Sequence, residues 1–420
     1  MIPSRDLAAK RIAFWFKNQD EPVTRRNPLE FVPPETQAWV HLCVQRHASL
    51  QWLIKQLCAV HTPPSKVRSV LYVGLVQILW DNRAPDFAVL NETVETARRL
   101  AGPKAAGFVN AVLRRAVREK QEWLDKLAAE KPATRYSHPA RLWKQWVRQW
   151  DEERAAQVCE WNNREPQRCL RWIGGDGSDI LEQMKAADLP VEPHPADPKR
   201  FARLTASTQI TYLPGFDEGR FYMQDPSTTL AVDLLNAQAG ETVLDACAAR
   251  GGKTLLLAEA LKGQGTLIAS DANADRLGQL HANLSRTKTE GVTVIARSIK
   301  DLRLGTDLPE EGVDALLLDV PCSNTGVLQR RPEARWRYRP DTLPDLEESQ
   351  RALLHFGADL VRPGGRMVYS TCSSADPENI GLVTSWLEEH PGWTLEDHKT
   401  LIPGENDTDG AFAAVLRKDT

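Results

Sequence analysis

From Phe221 onward, short aliphatic and β-branched runs alternate with longer helix-compatible segments, and no other feature of the sequence narrows the fold as far. The runs are Thr242–Asp245, Thr266–Ser270, Val292–Ile295, Ala315–Asp319 and Arg366–Ser370. Strands that short, apolar in their middles and separated by helices, imply a parallel, doubly wound α/β sheet covered on both faces. In such a sheet ligands bind outside the carboxyl ends of the strands, so the residues that close each run carry the functional information.

A chain of 420 residues is too long for one core, and three regions are expected. Residues 1–132 read as an all-α bundle. Val67, Val70, Leu71, Leu75, Ile78 and Leu79 fall at helical spacing between Ser65 and Trp80, and similar stripes run through Thr36–Cys58 and Ala106–Val117. Residues 133–219 read as a small α+β connector, with a tryptophan-bearing helix (Trp143, Trp146, Trp150) before a strand-like run at Arg168–Ile173. Residues 220–420 form the α/β region. No apolar run approaches the length of a membrane span, and the N-terminal residues show no apolar export segment. Seven cysteines without a CxxC pair or a histidine cluster argue against a disulfide framework and a structural zinc site. A cytoplasmic protein is expected, with no metal.

The net charge of −3 gives no global sign of a nucleic-acid partner, but local charge does. Gln329–Arg339 reads QRRPEARWRYR, in which Arg330, Arg331 and Arg335 surround aromatic Trp336. A second basic stretch runs from Arg98 to Lys120 and includes Lys104, Arg114, Arg115 and Arg118. Each is equally a solvated helix face, though interleaved rings suit single-stranded RNA, whose bases stack on rings and guanidinium planes.

The strand ends hold the chemistry. Leu244–Thr254 reads LDACAARGGKT: a strand, a turn of small residues, then a helix start, with Gly251 and Gly252 allowing a ligand to approach backbone N–H groups. This is not GxGxxG, which weakens a dinucleotide reading, and a merely tight strand–helix turn is the plain alternative. Asp271 closes the second run, where a carboxylate can accept from ribose hydroxyls. Asp319-Val320-Pro321-Cys322 closes the fourth and Ser370-Thr371-Cys372-Ser373 the fifth. Cys43, Cys58, Cys159 and Cys169 read as small core residues. Cys322 and Cys372, among polar turn residues at the mouth of a cleft, read better as participants in nucleophilic catalysis than as metal ligands.

At these residues the sequence resembles a family. Asp319 followed by PCSNTG, and YSTCS after LVRPGG, resemble the paired signatures of the RNA cytosine-C5 methyltransferases, and Asp245–Thr254 resembles their S-adenosylmethionine loop. YMQDPSTTLAVDLL, YSHP, WNNREPQRCLR and the ending IPGENDTDGAFAAVLRK are similar to further segments of that family, so the likeness covers most of residues 136–420. In the N-terminal region VRSVLYVGLVQIL, VLNETVETAR and FVNAVLRR resemble the helical RNA-binding domain of the NusB antitermination factors. The combination is similar to the bacterial 16S rRNA cytosine-C5 methyltransferases of the RsmB/Sun/Fmu type.

The resemblance implies a Rossmann-like catalytic domain that binds S-adenosylmethionine through Cys247, Ala248, Ala249, Arg250, Gly251, Gly252, Lys253, Asp271, Ser298 and Asp319. It implies Cys372 as the nucleophile that adds to cytosine C6, Asp319 as a hydrogen-bond partner of the base at N3 and the exocyclic amine, and Cys322 as the group that assists loss of the C5 proton and release. Arg330, Arg331, Arg335 and Trp336 are expected to hold the RNA, with 16S rRNA as partner and no membrane or obligate protein partner. Arg250 departs from the family's usual proline, and Ser298 from its usual aspartate, with Asp301 three residues on. Competing readings are the same chemistry on tRNA, a non-catalytic RNA-binding assembly factor, and a dinucleotide oxidoreductase that would leave both cysteine motifs unexplained.

Overall fold

The computed structural model describes residues 3–17, 33–58, 62–81, 83–339, 341 and 343–420. It divides into two compact units, residues 1–164 with 328–339, and residues 165–327 with 340–420. Among the described residues no helix is long and apolar enough to cross a membrane.

The first unit is helical: α1 (Ser4–Lys17), α2 (Pro34–Gln45), α3 (His47–Leu57), α4 (Ser65–Leu79), α5 (Asp86–Ala101), α6 (Pro103–Arg118), α7 (Lys120–Ala128), α8 (Pro132–Arg135), α9 (Ala140–Gln149) and α10 (Glu152–Asn162). Central α4 buries Val70, Leu71, Leu75 and Ile78 along with Tyr72, the pattern of a helix surrounded by others. Between α5 and α6 stands Gly102 at φ 88°, followed by Pro103, so a residue tolerant of positive φ ends one helix and a ring of fixed φ starts the next. The apolar stripe of Thr36–Cys58 is broken at Arg46. There the N–H of Ala48, orphaned at the start of α3, donates to Ser137 Oγ at 3.0 Å, a partner 89 residues away that periodicity cannot reveal.

Residues 328–339 belong to this helical unit although they lie within the α/β part of the sequence. Their short helix Ala334–Arg337 carries Arg335, whose side chain is 0% exposed. Its guanidinium donates to Asn163 Oδ1 at 2.9 Å and to the carbonyls of Asn162, Ser137, Gln45 and Leu328 at 3.0, 3.2, 3.3 and 3.3 Å. Burial pushes its pKa down to about 9, which still leaves a cation at neutral pH. Trp336 is half-buried, donates Nε1–H to the Val44 carbonyl at 2.8 Å and meets His47 edge-on at 4.9 Å. The expectation that Arg335 grips RNA is therefore corrected: its side chain is buried and its terminal nitrogens bond inside the helical unit, where Trp336 has its Nε1–H engaged as well. Arg331 is exposed and Arg330 half-buried. Arg335→Ala leaves those buried carbonyls without their donor, and a buried acceptor left unsatisfied costs roughly 1–3 kcal/mol. Urea denaturation should show a loss of that size. A stability change under about 1 kcal/mol with weakened RNA binding would restore the RNA role.

The second unit holds two sheets. In chain order it runs β1 (Arg168–Trp172), α11 (Ser178–Ala186), β2 (Val191–Pro193), β3 (Phe201–Leu204), β4 (Phe221–Met223), α12 (Leu230–Leu235), β5 (Thr242–Asp245), α13 (Gly252–Leu261), β6 (Thr266–Ser270), α14 (Ala274–Arg286), β7 (Val292–Ile295) and β8 (Val313–Asp319). The long helix Leu343–Leu360, β9 (Val361–Thr371), the helix Ile380–Glu388, β10 (Trp393–Leu401) and β11 (Ala411–Lys418) complete it. The small antiparallel sheet has order β2-β3-β1-β4 and the large one β10-β11-β9-β8-β5-β6-β7. β5 through β9 pair in parallel, while β11 runs antiparallel between β9 and β10.

The expected Rossmann-like α/β region is thus present, behind the expected helical region. The chain divides differently from the three-way reading, however. Helices 132–162 fall in the helical unit, and the small sheet closes with β4, beyond residue 219. Buried Arg171 of β1 explains the attachment of the small sheet: it donates to Gln224 Oε1 at 2.7 Å and to Glu259 Oε2 of α13 at 2.7 Å. A two-layer contact of that kind depends on side chains far apart in sequence, so the sequence pattern gives no boundary there.

Candidate active site

At the end of β5 the chain turns through Ala246–Gly251 before α13 begins. Ala249 and Gly251 take positive φ, 46° and 89°. A Cβ on Gly251 would stand 2.3 Å from Leu280 Cδ1, so both backbone conformation and close packing demand glycine. The turn is held to the neighbouring strand: Ala248 N–H donates to the Ser270 carbonyl at 3.0 Å and Ala249 N–H to Asp271 Oδ2 at 3.0 Å. Asp271 Oδ1 accepts from Asn273 N–H at 2.8 Å, which fixes the carboxylate at the β6 end. Arg250 points to solvent while its carbonyl accepts from Asn283 Nδ2 at 2.9 Å, so the turn is anchored with arginine in place. Ser298 opens the short turn Ile299–Asp301, one residue beyond Arg297, whose carbonyl accepts from Ser270 Oγ at 2.6 Å; Asp301 is exposed.

Acids dominate the electrostatics of this edge. Burial above all, with the nearby Asp319 and Asp271 charges, raises the Asp245 carboxyl to about 7, against the Thr254 hydrogen bond and the Lys253 charge. Burial and the same three carboxylates push the Cys247 thiol up, so it stays protonated and inert. Asp245, Asp271 and Asp319 converging on a turn of small residues fit a ligand that carries a sulfonium, an ammonium and ribose hydroxyls.

The second half of the site lies at the ends of β8 and β9, neighbours in the sheet. Cys322 Sγ and Cys372 Sγ are 3.2 Å apart, both as free thiols. Cys322 is 6% exposed, whereas Cys372 is half-buried and reaches Asn324 Oδ1 at 3.5 Å. The hydrogen bond to Cys372, then burial, raises the Cys322 thiol well above the ordinary range. Lys253 Nζ donates to Asp319 Oδ2 at 2.6 Å, and Ser370 Oγ to Asp319 Oδ1 at 3.1 Å. Burial works against the Lys253 charge, yet Asp319, and after it Cys372, outweigh burial and hold it as ammonium.

The structure thus brings Asp245, Asp271, Asp319, Cys322, Cys372 and the 247–253 turn to one edge of one sheet. It aims Lys253 at Asp319, a pairing that loop membership alone does not reveal. Sequence reasoning does not single out Asn324, Ser370 or the buried Glu378. Asn324 sits within the PCSNTG signature and is open to suspicion on that ground; Glu378 gives no local signal.

Solved structures of like fold include a methyltransferase homolog protein from Pyrococcus horikoshii, 26% identical with TM-score 0.59 over 68% of this chain and 97% of that one. Another is NSun6 from Pyrococcus horikoshii with SFG, 20% identical with TM-score 0.60 over 67% of this chain and 98% of that one, a likeness in fold alone. Fold and site together define a Rossmann-like RNA methyltransferase with S-adenosylmethionine as cofactor. Residues 232–417 match the family described as 16S rRNA methyltransferase RsmB/F, and residues 5–118 the NusB family. Ribosomal RNA small subunit methyltransferase B of Yersinia pseudotuberculosis is 34% identical over 385 residues, 88% of this chain and 86% of that protein, and the Yersinia pestis protein of that name matches equally. The chain belongs to the RsmB/F family, with a NusB-family domain ahead of the catalytic one.

Proposed function

We propose that this enzyme, acting in the cytoplasm, methylates C5 of a cytosine in 16S rRNA through a covalent bond between Cys372 and C6 of the base. The observation that carries the reading is the pair of free thiols 3.2 Å apart, one half-buried and one enclosed, beside a carboxylate that is itself held by an ammonium and a hydroxyl. Cytosine C5 lacks the electron density to accept a methyl group unaided. Addition of the Cys372 sulfur to C6 moves density onto C5, and cysteine serves because its thiolate both adds and leaves readily. Lys253, held as an ammonium chiefly by Asp319, lies close enough to Cys372 to interact with it electrostatically. Asp319, fixed by Lys253 and Ser370, accepts from the exocyclic amine and orients the ring. S-adenosylmethionine supplies the methyl group, and Asp271 with the 247–253 turn would hold it. Once Cys372 is bonded to C6, its hydrogen bond no longer raises the Cys322 pKa, and Cys322 as a thiolate takes the C5 proton. The C5–H electron pair forms the C5–C6 double bond, the C6–S bond breaks, and Cys372 leaves as thiolate. The base must leave its stack to reach the strand ends, which favours an unpaired target.

The test is methylation of unmodified 16S rRNA by the purified full chain, followed by bisulfite sequencing, with a tRNA pool in parallel. One or a few cytosines that resist conversion in 16S rRNA, and none in tRNA, are expected. Modification confined to tRNA would transfer the chemistry to that substrate. Label incorporated into rRNA with every cytosine still converted would place the methyl elsewhere and end the C5 assignment.

A further inference from the structure

We propose that Glu378 is a positioning residue that sets the spacing of the two active-site sulfurs by tying together the residues that follow them, Ser323 and Ser373. The inference rests on the reading of Cys372 and Cys322 just given. Glu378 lies in the turn Asp376–Glu378 ahead of the helix Ile380–Glu388 and is 0% exposed. Its Oε1 accepts from Ser323 N–H at 2.8 Å and from Gln350 Nε2 at 3.1 Å. Its Oε2 accepts from Ser373 Oγ at 2.6 Å and from Ser323 Oγ. The two serine hydroxyls are 3.0 Å apart, and Thr325 Oγ1 lies 3.2 Å from one and 3.0 Å from the other. One carboxylate therefore bridges the same position, the residue after the cysteine, on two loops whose β-strands are neighbours.

These partners are neutral: hydroxyls, an amide and a backbone N–H. A carboxylate buried among neutral donors is costly, and this one offsets the cost by accepting from four of them through both oxygens. Ties on either side keep the geometry from relaxing. Gln350 Nε2 also donates to the Pro321 carbonyl at 2.9 Å, Tyr369 hydroxyl to the Glu378 carbonyl at 2.7 Å, and Gly326 N–H to the Cys372 carbonyl at 2.9 Å. A Cβ on Gly326 would come within 2.7 Å of that same carbonyl, so the loops approach as closely as backbones allow. After the bond from Cys372 and burial, the charge of Glu378 adds to what keeps the Cys322 thiol protonated. Loss of the carboxylate frees two loops at once, and each bears one sulfur.

Glu378→Ala, Glu378→Gln and Ser373→Ala test this in the full chain. The readouts are kcat and KM on RNA, S-adenosylmethionine affinity, thermal stability, and the rate at which diamide joins Cys322 to Cys372 without RNA. In that last reaction two thiols give two protons and two electrons to diamide, and intact mass records the loss of two hydrogens. Glu378→Ala should lower kcat about a hundredfold, the scale for a displacement of about an ångström, with KM and cofactor affinity within about threefold. Disulfide formation should slow at least about tenfold. Glu378→Gln, whose carbonyl still accepts from Ser323 N–H and Gln350 Nε2 but whose NH2 now faces the two serine hydroxyls, should fall between. If Glu378→Ala does not fold, Glu378→Gln and Ser373→Ala carry the same expectation at smaller size. Variants that melt earlier but keep kcat and the disulfide rate within about threefold of wild type would show a structural residue and overturn the proposal. Should the wild type methylate some other atom, the functional reading falls, and the disulfide rate still decides the role of Glu378.

Discussion

Cys372→Ala should abolish methyl transfer and any covalent protein–RNA species together, whereas Cys322→Ala should accumulate that species. Removal of a covalent nucleophile costs on the order of a thousandfold or more, because the remaining groups cannot raise the density at C5. Removal of the release group leaves addition possible but stalls elimination, so the adduct builds up and runs slowly on a denaturing gel. The structure favours this division. Cys372 is half-buried and close enough to Lys253 to feel its charge, while Cys322 is enclosed and held protonated by its bond to Cys372 and by burial. The double variant should lose the slow band. A band from Cys372→Ala and none from Cys322→Ala would reverse the roles. Absence of any adduct in both variants, with lower melting temperatures, would mean that these are packing residues.

Asp271→Ala should weaken S-adenosylmethionine at least tenfold. Hydrogen bonds to a charged group contribute roughly 1.5–3 kcal/mol each, and a tenfold change in affinity corresponds to about 1.4 kcal/mol. The carboxylate also holds the turn, since Ala249 N–H and Asn273 N–H both donate to it. Asp271→Asn keeps one acceptor and most of the shape, so it should lose less than the alanine variant. Titration calorimetry reads both. Cofactor affinity equal to wild type in Asp271→Ala would remove this residue from the cofactor site, and an intermediate asparagine value would not be expected in that case.

Much of the fold is legible in the order of residues alone. Thr242–Asp245, Thr266–Ser270 and Val292–Ile295 are strands over the very residues that the sequence pattern indicates. The first two are mostly buried and so must be short apolar runs, while the third, at the sheet edge, shows through its β-branched residues. The helices of the first unit are visible for a related reason, since a 3.6-residue stripe reports a buried face. β10 is harder to read: along Trp393–Leu401 exposed polar residues outnumber buried ones, as suits a sheet edge, and alternation is weak. The RNA-contact expectation for Arg335 fails because composition reads arginines beside aromatics as a surface, and nothing local says that a guanidinium has found buried carbonyls.

By itself the sequence determined the alternation of strands and helices, the placement of Asp245, Asp271, Asp319, Cys322 and Cys372 at strand ends, and the glycines of the turn that follows β5. Each of these is a local property, set by burial period, by backbone sterics or by the residue type at a strand terminus. Only the tertiary structure decided that the two sulfurs lie 3.2 Å apart, that Lys253 pairs with Asp319, that Glu378 laces two loops, and that Arg335 bonds to Gln45, 290 residues away. Those outcomes depend on which strands become neighbours and which buried polar groups must find partners. Both are settled by long-range packing, which leaves no periodic trace in the chain.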